Sequence, residues 1–259
     1  MSESVKFDRA AEYYDETRGY PPGADTAVSA LIAQAGRFAP HSSILEVGIG
    51  TGRVSLPLAP HVGSITGIDL SRPMMGKLRK KQNGEPIMLV EGDATRLPFA
   101  AQQFDGAVAS HIFHLIPAWQ QALAEVGRVL KPGAALISIW ADEHNTFATL
   151  WDAWNRVVPH NPERVAGVDW RKQPNFIQDA GWQPMGDKLQ HRYERTITPG
   201  TFMDQVRRRV WSMCWRFSDD DMAVGIPAME AAIAEHYGSM DTIIHLDARI
   251  YVQAYLPPA

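Results

Sequence analysis

The stretch "ILEVGIGTGRVSLPLA" (residues 44–59) places three glycines in five positions, between one apolar run and another. Ile44, Leu45 and Val47 form a short apolar run that ends in glycine, as a buried strand entering a turn does. Helical spacing follows in "TGRVSLPLA". Glycine spent at this density predicts backbone held close to a ligand. In a doubly wound sheet, ligands sit beyond the carboxyl ends of the strands, and the first strand, turn and helix usually mark that place.

The rest of the first 140 residues keeps the same rhythm. "SITGIDLS" (64–71) reads as a second strand, and "RPMMGKLRKKQ" (72–82) as a helix capped by Ser71 with proline just inside. "PIMLVEGDA" (86–94) and "FDGAVASHIFHL" (104–115) read as the third and fourth strands. "PAWQQALAEVGRVLKPG" (117–133) is an amphipathic helix with Trp119, Leu123, Val126 and Leu130 on one face, predicted to stop at Pro132-Gly133. "AALISIWA" (134–141) is a fifth strand. Apolar runs separated by helices of this length indicate a parallel sheet covered on both faces. After Trp140 come a helix in "TFATLWDAWNRVV", a short one in "NFIQDAGW" with a stop at Gly181, and two alternating segments, "KLQHRYERTIT" and "TIIHLDARIYVQAYL". A helical insertion separates those last two strands. With no repeat and no low-complexity linker, we expect a single domain over 1–259: an N-terminal helical cover over 1–40, a core over 41–141 and an insertion over 199–240.

Composition narrows the possibilities. The chain has 259 residues, 45% of them hydrophobic and 21% charged, as in ordinary globular proteins. A net charge of -4 offers no general attraction to nucleic acid or to an anionic membrane. Arg207-Arg208-Arg209 is a local exception, either a solvated helix face or a clamp for an anion. Cys214 is the single cysteine, so no intramolecular disulfide framework or multi-cysteine metal site exists. Its neighbours in "WSMCWRF" predict a buried core residue. No stretch approaches the ~20 apolar residues of a membrane span, and the N-terminus is too polar for a signal peptide. Cytoplasm is the expected location, and the chain is expected to be a monomer or homodimer.

Two ligand classes fit the glycine loop. A dinucleotide fingerprint, G-x-G-x-x-G, brings the helix N-terminus to a pyrophosphate. After Gly48 and Gly50 it would require a small residue at position 53, where this chain has Arg53. The spacing here is G-x-G-x-G, preceded by Glu46, which suits a ligand without a pyrophosphate. Asp69 ends the second strand ~20 residues downstream, where a carboxylate accepts hydrogen bonds from both hydroxyls of a ribose.

The ordered set "LEVGIGTGR…GIDLS…EGDATRLPF…FDGAVAS…RVLKPGAAL" resembles the class I S-adenosylmethionine-dependent methyltransferases, in the group related to ubiquinone and menaquinone biosynthesis. The resemblance runs closely over residues 7–140. It implies a Rossmann-like, doubly wound α/β fold with a mostly parallel seven-stranded sheet whose last strand is antiparallel. It also implies S-adenosylmethionine as cofactor, S-adenosylhomocysteine as product, and methyl transfer to a small-molecule acceptor that is in part apolar or aromatic. Carried over position by position, Gly48, Gly50 and Gly52 approach the methionine part of the cofactor, and Glu46 orients the loop or reaches the amino group through water. Asp69 holds the ribose, with Leu70 and Met74 beside the adenine. Asp93 accepts from the adenine amino group, and Ala94 supplies a backbone donor. Ser110 and His111 lie beside the transferable methyl. Tyr14 and Arg18, in "FDRAAEYYDETRGYPP", fold over the cofactor, with Arg18 suited to its carboxylate, against the alternative of a plain surface helix and turn. Ala134 stands where the family often has glycine, a change confined to a turn.

Methyl transfer from a sulfonium needs a nucleophile held in line, and a base only where the acceptor carries a proton. "SHIFHLIPAW" (110–119) supplies two candidates, His111 and His114, against the alternative that they hydrogen-bond backbone at a strand end. No acidic pair accompanies them, so no metal site is expected. In the insertion, Phe202, Val206, Val210 and Met213 recur at helical spacing with Trp211, Trp215 and Phe217 nearby. They form either a helical core or an aromatic lid that lines an apolar pocket with Trp140, Trp151 and Trp154. A nicotinamide-dependent oxidoreductase and a cofactor-binding protein without catalysis are the competing functions. A nucleic-acid partner is not expected, since no basic stripe with interleaved aromatics is present.

Overall fold

Ile44, Leu45 and Val47 are each 1% exposed or less, which places β1 (Ser43–Val47) at the centre of the fold. A strand so enclosed must carry apolar residues on both faces, and the sequence supplies them. In the computed structural model, which describes residues 4–141, 146–159, 167–169 and 172–258, β1 pairs in parallel with β2 (Ser64–Asp69) on one side and β4 (Phe104–Ser110) on the other. β3 (Ile87–Glu91) continues beyond β2, and β5 (Leu130–Ala141) beyond β4. With β6 (Gln183–Ile197) and β7 (Ile244–Leu256) the sheet has seven strands in the order β3-β2-β1-β4-β5-β7-β6, the last strand antiparallel and helices around it. Strand order reverses between β1 and β4, so their carboxyl ends open the crevice where such sheets take ligands.

The helices are α1 (Tyr14–Arg18), α2 (Ala24–Gly36), α3 (Ser55–Leu58), α4 (Arg72–Lys81), α5 (Trp119–Val129), α6 (Ala148–Val157), α7 (Phe176–Asp179), α8 (Pro199–Arg207) and α9 (Asp219–His236). Ser71 caps α4 as its sequence predicts, its hydroxyl accepting from the Met74 amide at 3.3 Å. Three boundaries differ from expectation. The helix after the glycine loop is the single turn α3 followed by a 3-10 turn at Ala59–His61, because Pro57 and Pro60 withdraw the backbone donors a longer helix needs. α5 ends at Val129 rather than at Pro132-Gly133. Leu130 already pairs with Phe104, and the proline and glycine fall in a register shift of the β4–β5 ladder. β4 stops at Ser110, since His111 adopts φ 50 and a 3-10 turn follows at Phe113–Leu115.

The chain divides into two compact units. The first comprises Met1–Trp140, Ala166–His191 and Ile250–Ala259. Its core gathers Leu45, Val47 and Ile68 from the sheet with Leu123, Val126 and Val129 from α5. Trp140 stacks on Tyr251 within this unit, ring centroids 5.5 Å apart. The second comprises Ala141–Val165 and Arg192–Arg249. There Leu150 and Trp154 of α6 pack with Phe202, Met203 and Val206 of α8 and Met229 and Ile233 of α9. Gly225 makes that packing possible, because a Cβ on it would lie 2.2 Å from the Trp154 ring. Trp151, Trp211 and Phe217 join the same core, and Cys214 is fully buried. Of the insertion's aromatic residues, Phe202, Trp211 and Phe217 therefore serve as core. Met213, at 37% exposed, departs from the buried pattern of Phe202, Val206 and Val210. The arginine triplet is ion-paired on the unit's own surface: Arg207 with Glu230, Arg208 with Asp204, and Arg209 with Asp219.

Candidate functional site

The three loop glycines all have positive φ: 74 at Gly48, 54 at Gly50 and 79 at Gly52. Only glycine takes that conformation without strain. Their surroundings separate them. A Cβ on Gly48 would lie 2.6 Å from Ile112, and one on Gly52 would lie 2.3 Å from Leu78 of α4. Those two glycines are accounted for by the protein's own packing. Gly50 meets nothing nearer than Met74 Cε at 3.4 Å, so of the three it leaves space in front of the backbone.

Asp69, at the end of β2, organises the loop. Its Oδ2 accepts from the Gly50 amide at 2.8 Å and its Oδ1 from the Ser71 amide at 2.8 Å. Its carbonyl accepts from the Gly92 amide at 3.0 Å, tying the loop after β3 to the same point. Burial pushes the Asp69 carboxyl above its usual range, against the pull of the Ser71, Gly50 and Leu70 amides. Met74 is buried beside Gly50, and Leu70 is half-buried next to Asp69. Asp93 caps its own turn, with Oδ1 accepting from the Thr95 amide and hydroxyl at 2.9 Å each. Ala94 is buried behind it.

Glu46 is 3% exposed, and its Oε2 has no hydrogen-bond partner. Burial drives its carboxyl up to about 8, opposed by the nearby Ser55 hydroxyl and Arg53 guanidinium. The Ser55 hydroxyl itself completes no hydrogen bond, and neither does the buried hydroxyl of Tyr20, whose surroundings include Arg53, Glu46 and Ser110. Buried polar atoms without partners are rare in folded proteins. Their concentration here, beneath the N-terminal segment, is what a polar ligand's site leaves when its ligand is not part of the structure. The residues thus fit a polar cofactor that brings an ammonium to the Glu46 carboxyl.

Of the carried-over residues, the structure gathers Glu46, Gly50, Asp69 and Ser110 around the ends of β1, β2 and β4. Tyr14 lies in α1 with its ring edge-on to Phe7 at 6.1 Å. Arg18 enters by its backbone, since its carbonyl accepts from Arg53 Nη1 at 2.9 Å. His111 follows Ser110 directly, its amide donating to the Ile139 carbonyl at 3.3 Å. His114 sits in the next turn, and its carbonyl accepts from the Gly167 amide at 2.9 Å. Sequence reasoning had no role for Tyr20, Ser55, or the pair in which Thr51 Oγ1 donates to Asp15 Oδ1. Long-range pairs of this kind leave no periodic signal. Among the described residues no group of three or more His, Cys, Asp or Glu is placed to hold a metal, and no helix is long and apolar enough to cross a membrane.

Known proteins share the family and the fold. The methyltransferase-domain family matches residues 45–138. Demethylmenaquinone methyltransferase of Renibacterium salmoninarum is 34% identical over 199 residues, covering 69% of this chain and 83% of that one. The enzyme of the same name from Desulfitobacterium hafniense is 36% identical over 107 residues, covering 39% of this chain. In that match the chain spans less than half of the relative, 42%. Among solved structures, the [4+2]-cyclase SpnF superposes with a TM-score of 0.54 at 17% identity, over 100% of this chain and 99% of the other. A fold shared with a cyclase leaves the reaction to be argued from the site.

Proposed function

Because the chain belongs to the class I S-adenosylmethionine-dependent methyltransferases related to quinone-biosynthesis enzymes, we propose that it moves a methyl group from that cofactor to a small-molecule acceptor, in part apolar or aromatic, by in-line displacement. The observation that carries the reading is the cluster of buried, unpartnered polar atoms on Glu46, Ser55 and Tyr20 around the glycine loop. A pyrophosphate reading is weaker there, because Arg53 stands at the third-glycine position and its guanidinium is committed to Arg18 and Ser110.

In this reading the bound sulfonium supplies an activated methyl group, and the protein's work is placement. Asp69 retains some acceptor capacity for the ribose hydroxyls, while its bonds to Gly50 and Ser71 hold it rigid. Gly50 would leave room for the cofactor's amino-acid end, and the Glu46 carboxyl would ionise to meet its ammonium. Asp93 and Ala94 would border the adenine. Ser110 and His111 would serve the methyl-transfer end, where His111 would take the proton of a hydroxyl acceptor; an acceptor without that proton needs no base. We place the protein in the cytoplasm as a monomer or homodimer.

Isothermal calorimetry with S-adenosylmethionine, S-adenosylhomocysteine, NAD and NADP tests the reading. Binding of the first two and not the nicotinamides is expected. Binding of the nicotinamides alone overturns it.

A further inference from the structure

In the sequence, Arg53 is the residue that spoils a dinucleotide fingerprint. The structure gives it work of its own. Nη1 donates to the Arg18 carbonyl at 2.9 Å, and Nη2 donates to Ser110 Oγ at 3.1 Å. The face of the same guanidinium lies over the Tyr20 ring, 4.9 Å from its centroid. Arg18 and Tyr20 belong to the N-terminal segment, Ser110 ends β4, and Arg53 itself follows the glycine loop. One planar group thus joins three parts of the chain that lie far apart in sequence.

We propose that Arg53 is a positioning residue that clasps the N-terminal segment over the cofactor site, by joining Arg18 and Tyr20 on that segment to Ser110 at the end of β4. The segment's other attachments set the context. Ala10 and Ala11 are buried, with the 3-10 turn at Asp8–Ala10 against α4. Asp15 accepts from Thr51 and, at 2.8 Å, from Lys81, while Glu12 pairs with Lys77. Those carboxylates are largely exposed, and exposed pairs hold weakly. Arg53 makes its bonds at half-buried positions, near enough to the buried Glu46 carboxyl to act on it. A guanidinium can donate in two directions and stack on a ring at once, whereas an ammonium is a point charge on a flexible stem. The clasp therefore depends on shape as well as charge. Since its far end is Ser110, beside the expected methyl position, closing the segment also fixes the residue nearest the acceptor. The cofactor's escape path lies beneath the clasp in this picture.

The inference rests on the glycine loop being the cofactor site, and the test separates the two. Hydrogen exchange is followed on the full chain, first without ligand and then with S-adenosylhomocysteine, for the wild type, Arg53→Met and Arg53→Lys. Without ligand, Arg53→Met should speed exchange at residues 8–20 by about tenfold and leave β1 and β4 amides unchanged. Arg53→Lys should restore little of that protection. With ligand, S-adenosylhomocysteine should leave the Arg53→Met protein about tenfold faster. Unchanged exchange at 8–20, full rescue by lysine, or exchange rising equally in β1 and β4 overturns the clasp. If Arg53→Met does not fold, Tyr20→Leu decides, with the same loosening of 8–20 expected and its absence fatal. A wild type that ignores S-adenosylhomocysteine sinks the cofactor reading, while the ligand-free exchange still judges the clasp.

Discussion

The amide of Gly50 donates to Asp69 Oδ2 at 2.8 Å, joining the glycine loop to the end of the neighbouring strand. The carboxylate presumed from sequence to serve a ribose thus has a second duty inside the protein. Asp69→Ala should cost stability before any ligand is added, about 1–3 kcal/mol for stranding two amide donors. It should also weaken S-adenosylhomocysteine binding by a comparable amount. Denaturant unfolding and calorimetry on the same preparation measure both. Lost affinity with unchanged stability would show that the loop does not depend on this bond.

Gly50→Ala and Gly52→Ala should part company. Both place a side chain at positive φ, a strain of about 1–2 kcal/mol. At Gly52 the new methyl would also strike Leu78, so that variant should lose clearly more stability. At Gly50 the methyl meets the end of Met74, the Gly48 carbonyl and Asp69 Oδ2, all at ordinary contact distance. Gly50→Ala should stay folded and lose cofactor affinity at least tenfold. Thermal melts with and without S-adenosylhomocysteine decide, and equal behaviour of the two variants would contradict the difference in packing.

Glu46 makes stability depend on pH. Its carboxyl is raised to about 8 in the folded protein, far above the ordinary value of 4.5. Between those values the folded state binds the extra proton, so stability falls as pH rises through this window. The loss is of the order of a few kcal/mol at its full extent. Glu46→Gln, which cannot ionise, should flatten the fall in melting temperature between pH 5 and pH 8. A wild type and variant with parallel profiles would refute the assignment. Cofactor binding to the ionised carboxylate should correspondingly release a proton near pH 7, visible as a buffer-dependent calorimetric heat.

Much of the first unit was legible because buried parallel strands must be apolar on both faces, and runs such as "ILEV" and "GAVA" can satisfy little else. The Ser71 cap was legible for a similar reason, being a local rule with a local partner. Boundaries failed where distant residues compete. The pairing of Leu130 with Phe104 overrode the Pro132-Gly133 stop, and the left-handed turn at His111 ended a strand that composition would have extended. In the site, Asp69 and Gly50 could be found by spacing. Tyr20 and Asp15 could not, since only folding brings them beside the loop.

Cys214 offers a simple probe of the second unit. It is fully buried in the 3-10 turn Ser212–Arg216. Thiol reagents should leave the native protein untouched and consume one equivalent after denaturation. The native labelling rate then reports how often this unit opens. Immediate stoichiometric labelling of the native protein would contradict the packing around it.

His111 keeps a non-glycine side chain at φ 50, directly past the strand that carries Ser110. Glycine there would relieve about 1 kcal/mol of strain, offset in part by its freer unfolded chain. Selection for heat resistance alone would drift toward glycine at this position, and selection for turnover would retain the imidazole. A library randomised at 111 and sorted under each pressure separately would show which force has written the histidine there.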